Sequence, residues 1–219
     1  MTAARLTPEQ VVERFTTLFG DAIKETRIGE RREGSRKNPN YNIWIDIDRA
    51  ALKPAIEALI DIHFPHLSVI SGNDLGETIR LIYHFSIYYG IPHGEYMVTL
   101  AIQIPKEDLT VPTISDLIPG AVFSEREKQE FLGIKVIDIP DDRRLFLPED
   151  FPEGVYPWRK DETGIPDSMV KNLWASGRPT DRPAPPAEEK ESCSLEDERE
   201  EGGGKPLEGE RKETKEAEE

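Results

Sequence analysis

The sequence predicts an α+β fold: a small, mostly antiparallel sheet with helices packed on one face, followed by an extended C-terminal arm and a disordered acidic tail. Three observations predict it. Helical and strand-like periodicities follow one another in the order helix, strand, helix, strand, strand, strand. The runs between the later strands, Gly72-Asn73-Asp74 and Gly90-Ile91-Pro92-His93-Gly94, are turn chemistry that suits antiparallel hairpins. Past residue 111 periodicity gives way to proline, charge and isolated aromatics, and past residue 180 to charge almost alone. The chain therefore divides into an α+β domain (1–111), a segment holding one more helix and a docking arm (112–180), and a tail (181–219).

Thr7-Pro8-Glu9-Gln10 reads as an N-cap, a proline at the first helical position and a capping-box glutamine, after which Val11, Val12, Phe15, Leu18 and Phe19 recur at helical spacing up to Gly20. The next stretch, through Glu30-Arg31-Arg32-Glu33-Gly34-Ser35-Arg36-Lys37-Asn38-Pro39, is too charged and broken for core and is expected to be a solvated loop or hairpin tip. Residues 41–48 are rich in β-branched and aromatic side chains and predict a strand, with Asp48 placed to cap a helix over 49–62 whose apolar face is Leu52, Ile56, Leu59 and Ile60. Strands are expected over 67–71, 78–88 and 95–104. The run 112–120 is a short connector, Ser124 and Glu127 form a capping box, and Gly133 closes a helix of about two turns. Residues 137–179 carry Phe146, Phe151, Tyr156, Trp158 and Trp174 without sustained periodicity, the pattern of a segment that lies extended against another surface.

Composition excludes several function classes. The chain has 219 residues and a formal net charge of −15. Its tail holds 15 acidic and 7 basic side chains, a net of −8, and too little apolar surface to offset the entropy of ordering it. Nothing builds the basic footprint that nucleic acid requires. The only cysteine, Cys193, lies in the tail, so thiolate-held clusters are not expected in this chain. Met1-Thr2-Ala3-Ala4-Arg5-Leu6 does not read as a secretory signal and no run of about 18 apolar residues occurs, which predicts a soluble, cytoplasmic chain. His63 and His66 are three apart, but Pro65 breaks any helix that would align them as metal ligands. His84 reads as a partly buried sheet histidine, Asp46 as an outward strand residue, and Gly202-Gly203-Gly204 as a linker without the preceding strand of a phosphate cradle.

The densest information lies in Ser115, Glu125-Arg126-Glu127, Glu130, Gly133-Ile134, Pro140-Asp141-Asp142-Arg143-Arg144, Leu145-Phe146-Leu147, Pro148-Glu149-Asp150-Phe151 and Pro157-Trp158-Arg159-Lys160-Asp161. Arg143 and Arg144 offer planar forks suited to carboxylates, with Glu125, Glu127 and Asp141 as natural mates within the chain or across an interface. Read without a family, such a stretch is a surface helix and loop laced with exposed ion pairs worth about 0–1 kcal/mol each.

These residues, in this order, resemble the signature of the thirty-kilodalton family of respiratory complex I and of its relatives among the membrane-bound group 4 nickel-iron hydrogenases. Lys128-Gln129 after Glu-Arg-Glu and Ile139 before Pro-Asp depart from the pattern of complex I proper, and the stretch 151–172 is more similar to the archaeal membrane-bound hydrogenase branch. The resemblance implies a non-catalytic scaffold subunit of the peripheral arm of a membrane-bound redox complex, at the cytoplasmic face of the membrane and attached to it only through that complex. The complex would couple ferredoxin-linked hydrogen evolution to ion translocation. The alternative is the corresponding thirty-kilodalton component of a NADH- or ferredoxin-linked complex that reduces quinone or sulfur, and a free-standing adaptor is the reading from another class. Partners would be the large catalytic subunit and the small iron-sulfur subunit, which hold the iron-sulfur clusters and, in the hydrogenases, the nickel-iron centre; this chain would hold no cofactor, metal or catalytic residue. The interface is expected at Glu125, Arg126, Glu127, Gly133, Asp141, Arg143, Arg144, Pro148, Phe151, Tyr156, Trp158 and Arg159.

Overall fold

The Thr7 hydroxyl accepts the Gln10 N–H at 3.3 Å while the Gln10 side chain accepts the Thr7 N–H at 2.9 Å, so the expected capping box starts α1 (Pro8–Phe19). Gly20 ends it at φ 46°, a conformation that favours glycine. Val11 and Phe15 are fully buried. Residues 5–33 and 37–170 are described by the computed structural model. The expectations for the acidic tail, for Cys193, Trp174 and the triple glycine, fall outside them.

The segment expected to be a loop or hairpin tip belongs to a hairpin, whose first arm is a strand the sequence did not predict: β1 (Ile23–Glu33), 11 residues antiparallel to β2 (Asn38–Ile47), pairs Ile23 with Ile47 and, past a bulge, runs in register from Glu25 opposite Asp46 to Glu33 opposite Asn38. It is the edge strand, so it needs only one partner and no continuous apolar face. Its charges pair locally instead: Arg27 with Glu25 at 3.1 Å, Arg32 with Glu30 at 2.5 Å, and Lys24 with Asp48 at 3.0 Å. That last contact corrects a second expectation. The Asp48 side chain makes no capping hydrogen bond, and a short 3₁₀ turn, Arg49–Ala51, intervenes before α2 (Leu52–Ile62).

The strands β3 (His66–Asp74), β4 (Thr78–Ile87) and β5 (Tyr96–Pro105) form successive antiparallel pairs, as the turn chemistry predicts. The sheet order is β1-β2-β5-β4-β3, and β2 runs parallel to β5. One face is apolar: Ile43 and Ile45 of β2, Val98, Leu100 and Ile102 of β5, and Leu81, Tyr83 and Phe85 of β4 are all at most 1% exposed. Leu52, Ile56 and Leu59 of α2 are as buried, and the helices pack on this face. Each such aliphatic side chain contributes about 1.5–3 kcal/mol on burial. On the other face Asp46, expected to point outward, is covered to 5% exposure; burial raises its pKa against the pull of Arg80, 3.5 Å away.

Beyond β5, β6 (Thr110–Pro112) pairs in parallel with β7 (Lys135–Ile137), and α3 (Ala121–Leu132) spans the two and lies over β3.

Candidate interface site

The helix α3 starts at Ala121, three residues ahead of Ser124, so the expected Ser124–Glu127 capping box does not form; Gly120 stands at the N-cap without a side-chain cap. Pro119 and Gly120 were the usable start signal. Gly133 closes the helix in the left-handed region at φ 68°, donating its N–H to the Gln129 carbonyl at 3.1 Å, as the sequence predicts.

The polar side chains of α3 point into the molecule. Glu125, 3% exposed, accepts from the Thr113 hydroxyl and the Ile114 N–H, both at 2.7 Å. Burial raises its pKa, and those two hydrogen bonds offset only part of the effect. Arg126, 8% exposed, donates from Nε to the Arg143 carbonyl at 2.6 Å and from Nη2 to the Arg144 carbonyl at 2.9 Å, while Nη1 meets Asp141 at 3.1 Å. Glu130 accepts the successive backbone N–H groups of Leu145, Phe146 and Leu147, the last two at 2.9 and 2.8 Å. Gln129 accepts the Val136 N–H at 3.0 Å. Irregular segments have backbone groups that no ladder satisfies, and this helix supplies the missing partners.

The expected pairing of Arg143 and Arg144 with three carboxylates is realised at one of them. Arg143 forks onto Asp141 through Nε and Nη2, both at 2.8 Å, and keeps the Asp141 pKa well below the usual carboxylate range. Arg144 turns to backbone, donating to the carbonyls of Pro148 at 2.8 Å and Phe151 at 3.1 Å. Glu127 pairs with Lys128, whose side chain is 2% exposed and whose ammonium stands 4.5 Å from the Trp158 ring. Burial lowers the Lys128 pKa, and Glu127 offsets part of that.

The arm lacks helix and strand until the short turn Asp167–Met169, and its inner side lies against α3 and the β3–β4 turn of its own chain. Trp158 donates its backbone N–H to the Phe131 carbonyl at 2.9 Å, and its ring stacks on Phe131 at 4.7 Å. Tyr156 donates its backbone N–H to the Thr163 carbonyl at 2.7 Å and lays its ring over Gly133, with ring carbons 2.6 Å from where a Cβ there would stand. Asp74, its side chain fully buried, accepts from Lys106, from the Lys160 N–H and from the Gly76 N–H, each at 2.9 Å. Burial pushes the Asp74 pKa up, but these donors outweigh it and the net shift is downward. Lys106 also pairs with Asp161, which meets Arg159 at 3.3 Å. Gly133, Tyr156, Trp158 and Arg159 of this clasp belong to the sequence-based interface set, whereas its anchors Phe131, Glu130 and Lys106 were absent from that set. Phe123 and Phe131, eight residues apart and hence on one helix side, were the available signal.

Three aromatic side chains stay exposed around this assembly: Phe123 at 58%, Phe146 at 60% and Trp158 at 41%. Among the described residues no group of three or more His, Cys, Asp or Glu side chains is placed to hold a metal, and no helix is long and apolar enough to cross a membrane. His84 is hydrogen-bonded to Ser71 at 3.0 Å, and His63 and His66 flank the Tyr89 ring.

Residues 45–167, from β2 through α3 and the clasp, match the family described as "Respiratory-chain NADH dehydrogenase, 30 Kd subunit". The chain belongs to that family. Among relatives of this chain, the membrane-bound hydrogenase subunit beta of Pyrococcus furiosus is 32% identical over 173 residues, covering 78% of this chain and 93% of that one. Formate hydrogenlyase subunit 5 of Escherichia coli is 34% identical over 98 residues, 43% of this chain and only 17% of that longer protein. Both carry names from the hydrogenase branch to which the stretch 151–172 pointed. A chain of the membrane-bound sulfane sulfur reductase, an archaeal respiratory membrane complex, aligns with a TM-score of 0.55 at 21% identity, covering 69% of this chain and 83% of that one, and so shares its fold.

Proposed function

We propose that this chain is a non-catalytic scaffold subunit in the peripheral arm of a membrane-attached redox complex of the complex I and group 4 hydrogenase superfamily. The observation that carries the reading is the match with a membrane-bound hydrogenase subunit over 93% of that subunit's length, at 32% identity. The geometry supports a structural role. Glu125, Arg126 and Glu130 of α3 are directed at the chain's own backbone, while the exposed parts of Arg143, Phe146 and Trp158 remain available to a neighbour. In this reading the neighbours are the large catalytic subunit and the small iron-sulfur subunit on the cytoplasmic face, and they hold the nickel-iron and iron-sulfur centres. Electrons from reduced ferredoxin would reach protons there, with ion translocation in the membrane part.

Purification of the native complex through a tag on this chain, followed by nickel and iron analysis, tests the assignment. Nickel and iron together are the expected result, and the isolated chain should carry neither. Iron without nickel would move the chain to a quinone- or sulfur-reducing member of the superfamily. A stable monomer that purifies alone from intact cells would overturn the scaffold reading.

A further inference from the structure

At the end of the sheet where β4 closes and β5 opens, the inner face carries tyrosines in place of aliphatic side chains. Tyr96 stands between Tyr41 of β2 and Ile87 of β4, and Tyr88 follows Ile87. Tyr41 and Tyr88 are each nearly perpendicular to the Tyr96 ring, at 86° and 89°, with centroids 5.5 and 5.6 Å away. Tyr88 and Tyr96 are 5% and 4% exposed. A cation lies over this corner: the Arg5 guanidinium is 4.3 Å from the Tyr96 ring centroid and 6.0 Å from that of Tyr88.

Two other cations stand over rings, and each of them also has a carboxylate. Arg27 on Trp44 pairs with Glu25, and Lys128 on Trp158 pairs with Glu127. Arg5 has no carboxylate partner among the described residues, so the rings themselves hold its charge. Burial raises the Tyr96 pKa while the Arg5 charge pulls it down, which is the mutual effect expected of a phenol and a guanidinium in contact. A guanidinium suits the corner better than an ammonium does, because it is planar and weakly hydrated and can lie flat on a ring.

The backbone on both sides is tied to the same corner. Leu6 donates its N–H to the Tyr88 hydroxyl at 3.0 Å. Tyr88 has φ 57°, a left-handed conformation that a bulky side chain keeps only where its surroundings impose it. Its ring has the Tyr96 ring as one neighbour and the His63 ring, 5.2 Å away, as another. The loop that follows carries the exposed Tyr89 and Ile91 and turns back through the Ile91 N–H to the Tyr88 carbonyl at 3.4 Å. The residues that bring Arg5 into place thus hold the first residue of this loop.

We propose that Tyr41, Tyr88 and Tyr96 form a binding site for a planar guanidinium cation, that Arg5 is its built-in ligand, and that the seated Arg5 locks the loop 88–95. The site stands apart from the scaffold reading, so its failure would leave that reading in place.

The test uses the full chain, with ethylguanidinium as the probe because it carries the end of an arginine side chain without the backbone. Arg5→Ala empties the site by a change at an exposed position outside the helices and strands. In this variant the ring signals of Tyr88 and Tyr96 in NMR spectra should shift saturably with ethylguanidinium, at an affinity at least about threefold above that for ethylammonium. The wild type, its site already filled, should show no such shift. Amide hydrogen exchange in the loop 88–95 should become at least about threefold faster in Arg5→Ala and slow again when ethylguanidinium is added. No saturable shift in Arg5→Ala, an equal response in the wild type, or equal affinity for the two cations would overturn the site. Loop exchange in Arg5→Ala equal to that of the wild type would overturn the lock.

Discussion

Glu130 of α3 and Leu147 of the arm loop are joined by a 2.8 Å hydrogen bond, the last of three that one carboxylate accepts from consecutive backbone N–H groups. The side chain fills a backbone nest of the kind that elsewhere binds a free anion. Removing it leaves three donors without partners in a half-buried loop.

Glu130→Ala should therefore cost about 2–4 kcal/mol of stability and free the loop, whereas Glu130→Gln, which keeps one acceptor oxygen, should cost about half as much. Urea unfolding measures the first effect. Trypsin measures the second, since cleavage at Arg143 and Arg144 should become much faster in the alanine variant before any global unfolding.

Lys128→Met should be neutral or stabilising by about 1 kcal/mol, because methionine fills the same space without a buried charge. The pH dependence carries the sign. The folded pKa of Lys128 lies below its ordinary value, so between the two the unfolded chain binds more protons and stability rises with pH toward about 10.4. Thermal melts from neutral pH upward should show that rise in the wild type and lose it in Lys128→Met.

At Asp161 the sign is opposite. Lys106 first, and then Thr163 and Arg159, hold its carboxyl well below the usual range, so its contribution is complete above about pH 3.9 and is lost as the pH falls toward the folded value. Asp161→Asn should remove about 1–2 kcal/mol at neutral pH and flatten the acid limb of the stability curve. Loosening of the clasp should also shift Trp158 fluorescence to longer wavelength before the sheet unfolds.

Gly133→Ala should cost about 2–3 kcal/mol, more than a left-handed alanine alone, because the new methyl group meets the Tyr156 ring. Calorimetry of the pair Gly133→Ala and Gly133→Ala with Tyr156→Ala separates the two parts. Most of the excess should vanish in the double variant.

The sheet and its two leading helices were legible because their residues alternate or recur with a clear period, as at 78–88 and at Val11 and Phe15. Strand β1 was not: Lys24, Glu25, Arg27, Glu30 and Arg32 form ion pairs along an edge, and nothing in that pattern demands burial. The signature stretch showed where the interface candidates cluster but not which way they face. Charge was read as exposure at Glu125, Arg126 and Glu130, yet each is at most 8% exposed. Their partners are backbone groups of aperiodic segments, and a residue's demand for a backbone partner leaves no periodic trace in the sequence. Arg143, 81% exposed, is the member of the signature that behaves as its composition suggests.

The parallel pairing of β2 with β5 sets the order in which this chain can complete itself during synthesis. Tyr41 and its partner Tyr96 are 55 residues apart, so the β1–β2 hairpin emerges from the ribosome well before the strand that covers its inner edge. A lone two-stranded ribbon is marginal in water, and loop closure of this length slows its incorporation. The nascent chain must therefore wait with an unsatisfied β2 edge until β5 arrives, and through that interval β1 shields the other edge with alternating charge.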